Sequence, residues 1–134
     1  YPEGLGTTEP ALVDRMPPGV AAHAKTAFSC CGADGFLRGL DFEQRPQVLL
    51  CGMETHVCIL QTALELTGRG FEIFVVEDAV CSRDPANHAN AIARLRQWGI
   101  TVTCAESVVF EWVGDAAHPN FKDISALLKT AAKA

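Results

Sequence analysis

From residue 47 onward, the chain alternates between short apolar runs and amphipathic stretches. Short runs of apolar and β-branched residues predict strands at 47–52, 71–80 and 100–110. Apolar residues that recur at helical spacing predict helices at 59–70, 84–99 and 118–134. Alternating strands and helices are typical of an α/β fold. We expect three layers, with a mainly parallel, Rossmann-like sheet between helices on both faces.

Residues 1–46 show no comparable pattern. Residues 1–21 are rich in Gly, Pro and Thr and predict an irregular connection. The segment 23–31 suits a short strand or a turn, and 35–46 predicts a short helix and a loop that ends at Pro46. The regular part of the fold is therefore predicted to begin at residue 47.

Length and charge narrow the possible partners. The chain has 134 residues, enough for one domain that buries about two thirds of the surface exposed by its unfolded form. Its net charge of −5, from 11 basic and 16 acidic side chains, gives no basic footprint for a phosphate backbone. No apolar run approaches the roughly 20 residues of a membrane helix. We expect partners other than nucleic acid or a membrane.

The six cysteines indicate a reducing environment. They are Cys30, Cys31, Cys51, Cys58, Cys81 and Cys104. They show no CxxC pair and no histidine at a zinc-finger interval, so we expect no metal and no other cofactor. Unpaired cysteines suit an intracellular location, in the first instance cytoplasmic, with a mitochondrial one left open.

Cys58 stands where the first predicted strand gives way to a helix. In open parallel sheets, ligands bind beyond the carboxyl ends of the strands. Unpaired N–H groups at a helix start favour a thiolate, which is the nucleophilic form of cysteine. On position alone, Cys58 is equally well explained as a small buried residue. Cys51, which ends the strand itself, is interpreted as core packing.

A nucleophilic thiol needs a charge partner and a proton acceptor. Lys25 is the one cation in an otherwise uncharged stretch, 20–31, and lies either in solvent or in a site where it stabilises negative charge. His23 and His56 are candidates for proton transfer, although a lone histidine is more often a structural hydrogen-bonding residue.

Two motifs resemble those of the isochorismatase-like cysteine hydrolases. The segment GMETHVCILQTALE matches the pattern G-x-x-T-x-x-C-[VI]-x-x-T-A-x-[DE] at Gly52, Thr55, Cys58, Ile59, Thr62, Ala63 and Glu65. The pattern V-V-x-D-A-x-x-S follows at Val75, Val76, Asp78, Ala79 and Ser82. The segment KTAFS is similar to the one that carries the family lysine, here Lys25. The C-terminal part, from Glu106, resembles isochorismatase domain-containing proteins.

The resemblance implies an Asp–Lys–Cys triad in which Cys58 attacks the substrate and Lys25 stabilises the thiolate. The aspartate belongs to a first strand that would precede Tyr1. We therefore expect residues 1–134 to be a single isochorismatase-like hydrolase domain that lacks its N-terminal strand. That strand would lie beside 47–52.

The resemblance also assigns roles to the loop before the cysteine. It implies a cis peptide at Met53–Glu54 and an oxyanion hole formed by the N–H groups of Glu54 and Cys58. With Met53 and Thr55, the side chains of Glu54 and His56 would form the substrate-binding loop. Glu54 and His56 would narrow and polarise the pocket. The nicotinamidase metal cluster has no counterpart in this sequence.

The resulting prediction is a hydrolase with a cysteine nucleophile that acts on a small amide, carbamoyl or related C–N substrate. The alternative is a catalytically weak or inactive member of the same fold that serves as an oligomeric interaction module. Apolar residues near the C-terminus, including Phe110, Trp112 and Val113, predict a homo-oligomer.

Overall fold

The structure is a computed structural model that describes residues 1–131, and its sheet has three parallel strands in the order β1–β2–β3. The strands are β1 (Gln47–Met53), β2 (Glu72–Cys81) and β3 (Thr101–Thr103). The helices are α1 (Pro2–Leu5), α2 (Pro10–Val13), α3 (Leu60–Gly68), α4 (Pro85–Gln97), α5 (Ala105–Val113) and α6 (Phe121–Ala131). The predicted α/β class with a parallel sheet is confirmed.

The helix after β2 begins where the sequence predicts. Pro85 occupies the first turn of α4, where a backbone N–H would have no helical partner, and the Asp84 side chain accepts the Ala86 N–H at 2.8 Å. The predicted final helix is present as α6, and its last predicted residues, 132–134, lie outside the described residues. Across residues 1–131, every helix falls short of the length and hydropathy that a membrane span requires.

The core lies where α3 and α4 pack against β2. Its fully buried side chains include Ala63, Leu66, Val75, Ala91 and Leu95. Burying one side chain of leucine size contributes about 1.5–3 kcal/mol, so these few contacts hold the crossover helices on the sheet. This packing fixes the segment between β1 and α3.

The prediction of a strand through residue 110 is wrong, because β3 ends at Thr103 and α5 follows. The Asp78 carboxylate accepts the Ala105 N–H at 2.8 Å and supplies a partner for the start of the helix. Gly114, with φ 69°, then ends α5 in the left-handed conformation. The β-branched residues of this segment favour a strand, but the contact from β2 overrides that preference.

The continuous apolar run at 47–52 predicts a strand buried on both faces, and the structure corrects this expectation. Within the described residues β1 pairs with β2 alone, so its other edge is open and Leu49 is half-buried. Cys51, interpreted from sequence as core packing, is exposed.

The N-terminal part consists of short turns. Single-turn helices α1 and α2 occur where an irregular connection was expected. The segment 23–31 runs into the 3₁₀ turn Cys30–Gly32 instead of forming a strand, and 35–46 contains the 3₁₀ turn Leu37–Gly39. Loops of this kind position side chains without adding to the sheet.

Candidate functional site

Cys58 lies in the π-helical turn Thr55–Ile59, which joins β1 to α3. The Ile59 N–H donates to the Glu54 carbonyl, five residues earlier, at 3.2 Å. The turn is therefore wider than an α-helical one, and Cys58 precedes α3 instead of standing within its first turn. π-Helical segments occur frequently at functional sites.

The chain leaves β1 through an irregular strand end. The β1–β2 register shifts between Leu50 and Gly52, and Gly52 has φ 114°, a conformation that favours glycine. The peptide bond Met53–Glu54 is cis. Residues 53–58 thus turn away from the sheet at its carboxyl end, where ligands bind in parallel sheets.

Lys25 contacts Cys58, although the two residues are 33 positions apart in sequence. Lys25 Nζ lies 3.5 Å from Cys58 Sγ, and it donates to the carbonyls of Ala27 and Phe28, each at 3.0 Å. An ammonium group has three N–H donors, so two of them fix it to its own loop and the third is left for the sulfur. Lys25 Nζ is therefore bonded to its own loop and to the thiol, and its role in a site stays a prediction.

A cleft of about 550 Å³ opens beside the Cys58 thiol. Most of the side chains that line it are apolar, and three are charged. The lining residues are Tyr1, Leu5, Lys25, Thr26, Ala27, Phe28, Met53, Glu54, Val57, Cys58 and Arg83. The cleft is thus less polar than the sequence led us to expect, and it offers an apolar surface next to a thiol and two cations.

Glu54 connects the turn to the segment after β2. Its Oε1 accepts the Arg83 N–H at 3.1 Å and lies 3.4 Å from Arg83 Nε. Its own N–H donates to no acceptor among residues 1–131. Met53, at 69% exposure, lies at the mouth of the cleft. The structure thus brings Met53 and Glu54 together with Lys25 and Cys58.

Thr55 and His56 point to other partners. The Thr55 hydroxyl is fully buried and lies 3.0 Å from His88 Nδ1 on α4. His56 Nδ1 lies 2.9 Å from the Ser82 hydroxyl. Neither residue lines the cleft. Glu54, Thr55 and His56 are consecutive in the turn, and each contacts a residue in the segment after β2.

The remaining candidates from the sequence lie elsewhere. His23 Nδ1 contacts the Asp34 carbonyl at 3.1 Å, and its ring packs edge-on against Phe36. Glu65 forms an ion pair with Arg69 along α3. None of these residues lines the cleft beside Cys58.

No carboxylate within residues 1–131 hydrogen-bonds or forms an ion pair with Lys25. Glu3 and Asp34 line a smaller cleft on another side of Lys25, of about 240 Å³, without bonding to Nζ. No group of three or more His, Cys, Asp or Glu side chains in this part of the chain is placed to bind a metal ion.

Sequence reasoning missed Arg83, Phe28 and His88. Arg83 directly follows the V-V-x-D-A-x-x-S pattern, so the available signal was its position after a strand end. Phe28 lies in the KTAFS segment and remains 60% exposed on the cleft wall. A large exposed aromatic residue two positions from a cysteine pair has no sequence signature of its own.

A family model and a curated relative both match most of this chain. A model of the isochorismatase domain matches residues 3–107. The isochorismatase domain-containing protein 2 of Bos taurus is 45% identical over 132 residues, which cover 96% of this chain and 61% of the relative. The chain thus spans about three fifths of that relative.

Two solved structures extend the comparison. The structure of MAR1 ribonuclease from Caenorhabditis elegans has a TM-score of 0.85 and 35% identity, over 95% of this chain and 65% of that one. The nicotinamidase PncA from Bacillus subtilis has a TM-score of 0.53 and 32% identity, over 59% of this chain and 44% of that one.

Proposed function

Because the chain belongs to the isochorismatase family, whose members include hydrolases such as nicotinamidase, we propose that it is a cysteine hydrolase. Its substrate is a small amide, carbamoyl or related C–N compound. The observation that carries this proposal is the 3.5 Å contact between Lys25 Nζ and Cys58 Sγ on the wall of the cleft.

In the proposed reaction, the thiolate of Cys58 attacks the carbonyl carbon of the substrate. Lys25 stabilises the thiolate before the attack. The Glu54 and Cys58 N–H groups stabilise the oxyanion that forms. A carboxylate takes the Cys58 proton before the attack and, as a carboxylic acid, gives that proton to the leaving nitrogen as the C–N bond breaks. Water then hydrolyses the resulting thioester, which releases the acid product and the free thiol. Loss of one oxyanion donor typically costs about 2.7–4 kcal/mol of transition-state stabilisation.

The acid of this mechanism is proposed to be an aspartate upstream of Tyr1, as the resemblance implies. One observation supports a position beside β1. The open edge of β1 can pair with a further strand, and a residue at the carboxyl end of such a strand would reach Cys58. To bond with Lys25, the carboxylate would have to take an N–H group that now donates to the carbonyl of Ala27 or Phe28.

We also propose an intracellular homo-oligomer. All six cysteines are free, which suits a reducing compartment. Trp112, at 72% exposure, and Phe110, at 37%, are exposed apolar side chains on α5, whereas Val113 is buried in the chain's own core and is removed from this set. A monomeric mass in light scattering would reject the oligomer.

The alternative remains an inactive member of the family that acts as an interaction module. The specific observation in its favour is that no carboxylate in residues 1–131 reaches Lys25. RNA cleavage has less support, although the C. elegans neighbour is named a ribonuclease. A net charge of −5 and 7% aromatic residues provide neither a basic groove nor a stacking platform. A steep salt dependence of RNA binding would reverse that assessment.

The test is turnover of a panel of small amides and carbamoyl compounds by the full-length protein, compared with Cys58→Ala. We expect Cys58→Ala to abolish turnover, and Cys104→Ala, a matched half-buried cysteine hydrogen-bonded to Ser107, to retain it. Absence of turnover across the panel, with partner binding unaffected by Cys58→Ala, would support the interaction module instead.

A further inference from the structure

The thiol of Cys58 and the amine of Lys25 meet on the wall of an open cleft. Lys25 Nζ lies 3.5 Å from Cys58 Sγ, and both residues line the cleft of about 550 Å³. A cation beside a thiol favours the thiolate, which is the form that peroxides oxidise. A cleft of this size admits hydrogen peroxide to the sulfur. Cys58 is therefore placed to be oxidised to a sulfenic acid.

The surroundings of Cys58 decide what such a sulfenic acid meets next. A sulfenic acid condenses with a nearby thiol or nitrogen. Cys58 is the one cysteine that lines the cleft in the part of the chain that the structure describes. The N–H of Ile59, next in the backbone, already donates to the Glu54 carbonyl at 3.2 Å. Arg83 also lines the cleft, but a guanidinium stays protonated and has no free lone pair. The amine of Lys25 is thus the nitrogen in position to react.

The loop that carries Lys25 keeps the amine beside the sulfur. Nζ donates to two carbonyls of its own loop, each at 3.0 Å. The Cys30 N–H of the same loop donates to Thr62 Oγ1 on α3 at 2.9 Å, and α3 directly follows the turn that contains Cys58. Loop and turn are therefore joined at a second point, which does not depend on the oxidation state of the sulfur.

We propose that Lys25 and Cys58 form a covalent sulfur–nitrogen bond when hydrogen peroxide oxidises the thiol. The thiolate attacks one peroxide oxygen, the O–O bond breaks, and hydroxide leaves and takes a proton from solvent. The sulfur is thereby oxidised to Cys–S–OH and the peroxide is reduced to water. The ammonium of Lys25, now without an anionic partner, gives a proton to solvent. Its lone pair attacks the sulfur, the S–O bond breaks, and the departing hydroxide takes a second proton from the nitrogen and leaves as water.

The product is a sulfenamide that a reductant can reopen. Two thiol groups of the reductant form a disulfide, and in exchange Cys58 regains its thiol and Lys25 its amine. The bond also protects the sulfur from the irreversible step to sulfinic acid. Formation of the bond needs only the contact between the two side chains. Its consequence rests on the function proposed above, because the bond consumes both the nucleophile and the cation that stabilises it.

Peptide mass spectrometry of the full-length protein, treated with hydrogen peroxide and digested without reductant, tests the proposal. We expect a peptide pair that joins Lys25 to Cys58 and has lost two hydrogen atoms relative to the reduced pair. Fragmentation must place the bond on the lysine nitrogen, because a disulfide gives the same loss of mass. Dithiothreitol should remove the bond. A disulfide at Cys58, or a sulfenic acid that dimedone traps in full yield, overturns the proposal.

Lys25→Arg is the matched variant, because it keeps the cation and replaces the amine with a guanidinium that stays protonated. Cys58 should still be oxidised, the joined peptide should be lost, and sulfenic acid trapped by dimedone should take its place. Lys129→Met alters an exposed lysine on α6 and should retain the joined peptide. Equal dimedone labelling of Cys58 in the unaltered protein and in Lys25→Arg would show that the amine does not react.

Turnover separates this inference from the function on which its consequence rests. If the full-length protein hydrolyses a compound of the amide panel, peroxide should abolish turnover and dithiothreitol should restore it. A sulfur–nitrogen bond that forms in a protein without turnover supports the modification and counts against the hydrolase. Turnover in a protein that never forms the bond overturns the modification and leaves the hydrolase in place.

Discussion

Cys58 and Cys31 are both half-buried thiols, yet their surroundings differ in kind. Cys58 has an ammonium group 3.5 Å from its sulfur and a cleft of about 550 Å³ in front of it. Cys31 packs against the core, and burial raises the pKa of its thiol, with the hydrogen bond from the Ser29 side chain offsetting part of the rise. Burial alone keeps a thiol protonated, whereas a nearby cation stabilises the thiolate and a cleft admits an electrophile.

The two cysteines also differ in how their backbone is held. Cys31 lies in a short 3₁₀ turn that has one hydrogen bond to α3, from the Cys30 N–H to Thr62 Oγ1 at 2.9 Å, whereas the turn that carries Cys58 is attached through three consecutive residues, Glu54, Thr55 and His56, to the segment after β2. A thiol that must attack one carbon needs fixed geometry, and a packing thiol does not.

The largest expected effect on this contrast comes from Lys25→Met. Removing the ammonium should slow alkylation of Cys58 by iodoacetamide at neutral pH by about tenfold or more, because a hydrogen bond to a charged group contributes about 1.5–3 kcal/mol. The rate at Cys31, read from the same digest, should not change.

Two further variants support the interpretation of that result. Lys129→Met changes a lysine exposed on α6 and should leave both cysteines unaffected. Lys25→Arg keeps the charge and should recover part of the Cys58 rate. If Lys25→Met slows both cysteines equally, the lysine acts on folding, and the contrast between the two thiols disappears.

A smaller effect is expected from His88→Ala, which removes the partner of a buried hydroxyl. Thr55 is 0% exposed and its Oγ1 lies 3.0 Å from His88 Nδ1. Leaving that hydroxyl unpaired should lower the free energy of unfolding by about 1–3 kcal/mol, measured by urea denaturation. Alkylation of Cys58 should slow as well, because the turn loses an attachment.

The control is Asn90→Ala on the same helix, because Asn90 is exposed and its side chain bonds to no described residue; it should leave the free energy of unfolding unchanged or slightly higher, since alanine has the greater helix propensity. Combining Thr55→Val with His88→Ala should cost less than the sum of the two single changes, because both remove one interaction. Additive costs would show that the two groups do not interact.

Local signals explain which parts of the fold could be predicted. The start of α4 was predictable because Asp84 and Pro85 act on neighbouring N–H groups. The end of β3 was not, because the partner of the Ala105 N–H is Asp78, which lies on another strand. The exposure of β1 depends on the number of its sheet neighbours, which the sequence of the strand does not contain.

The candidate site shows the same limit. Position and composition left Cys58 balanced between packing and chemistry; the resemblance to the family motif favours chemistry, and that role stays a prediction. The partners of the turn were out of reach, since His56 and Ser82 are 26 positions apart and Glu54 and Arg83 are 29 apart. Side chains that meet only through the β1–β2 pairing have no spacing from which to infer the contact.

The smallest expected effect concerns the pH dependence of Cys31. Because burial raises its pKa in the folded chain, the folded state holds the proton at pH values where the unfolded thiol has lost it. The protonated Cys31 thiol therefore contributes its full stabilisation to the folded state below the unfolded pKa, about 8.5 for a free thiol, and this stabilisation is lost as the pH rises.

Cys31→Ala should flatten the decline in unfolding free energy between neutral and alkaline pH, measured by urea denaturation under reducing conditions. Cys104→Ala should leave the decline in place. An unchanged slope in Cys31→Ala would mean that burial does not hold this proton, and burial would then drop out of the contrast between the two thiols.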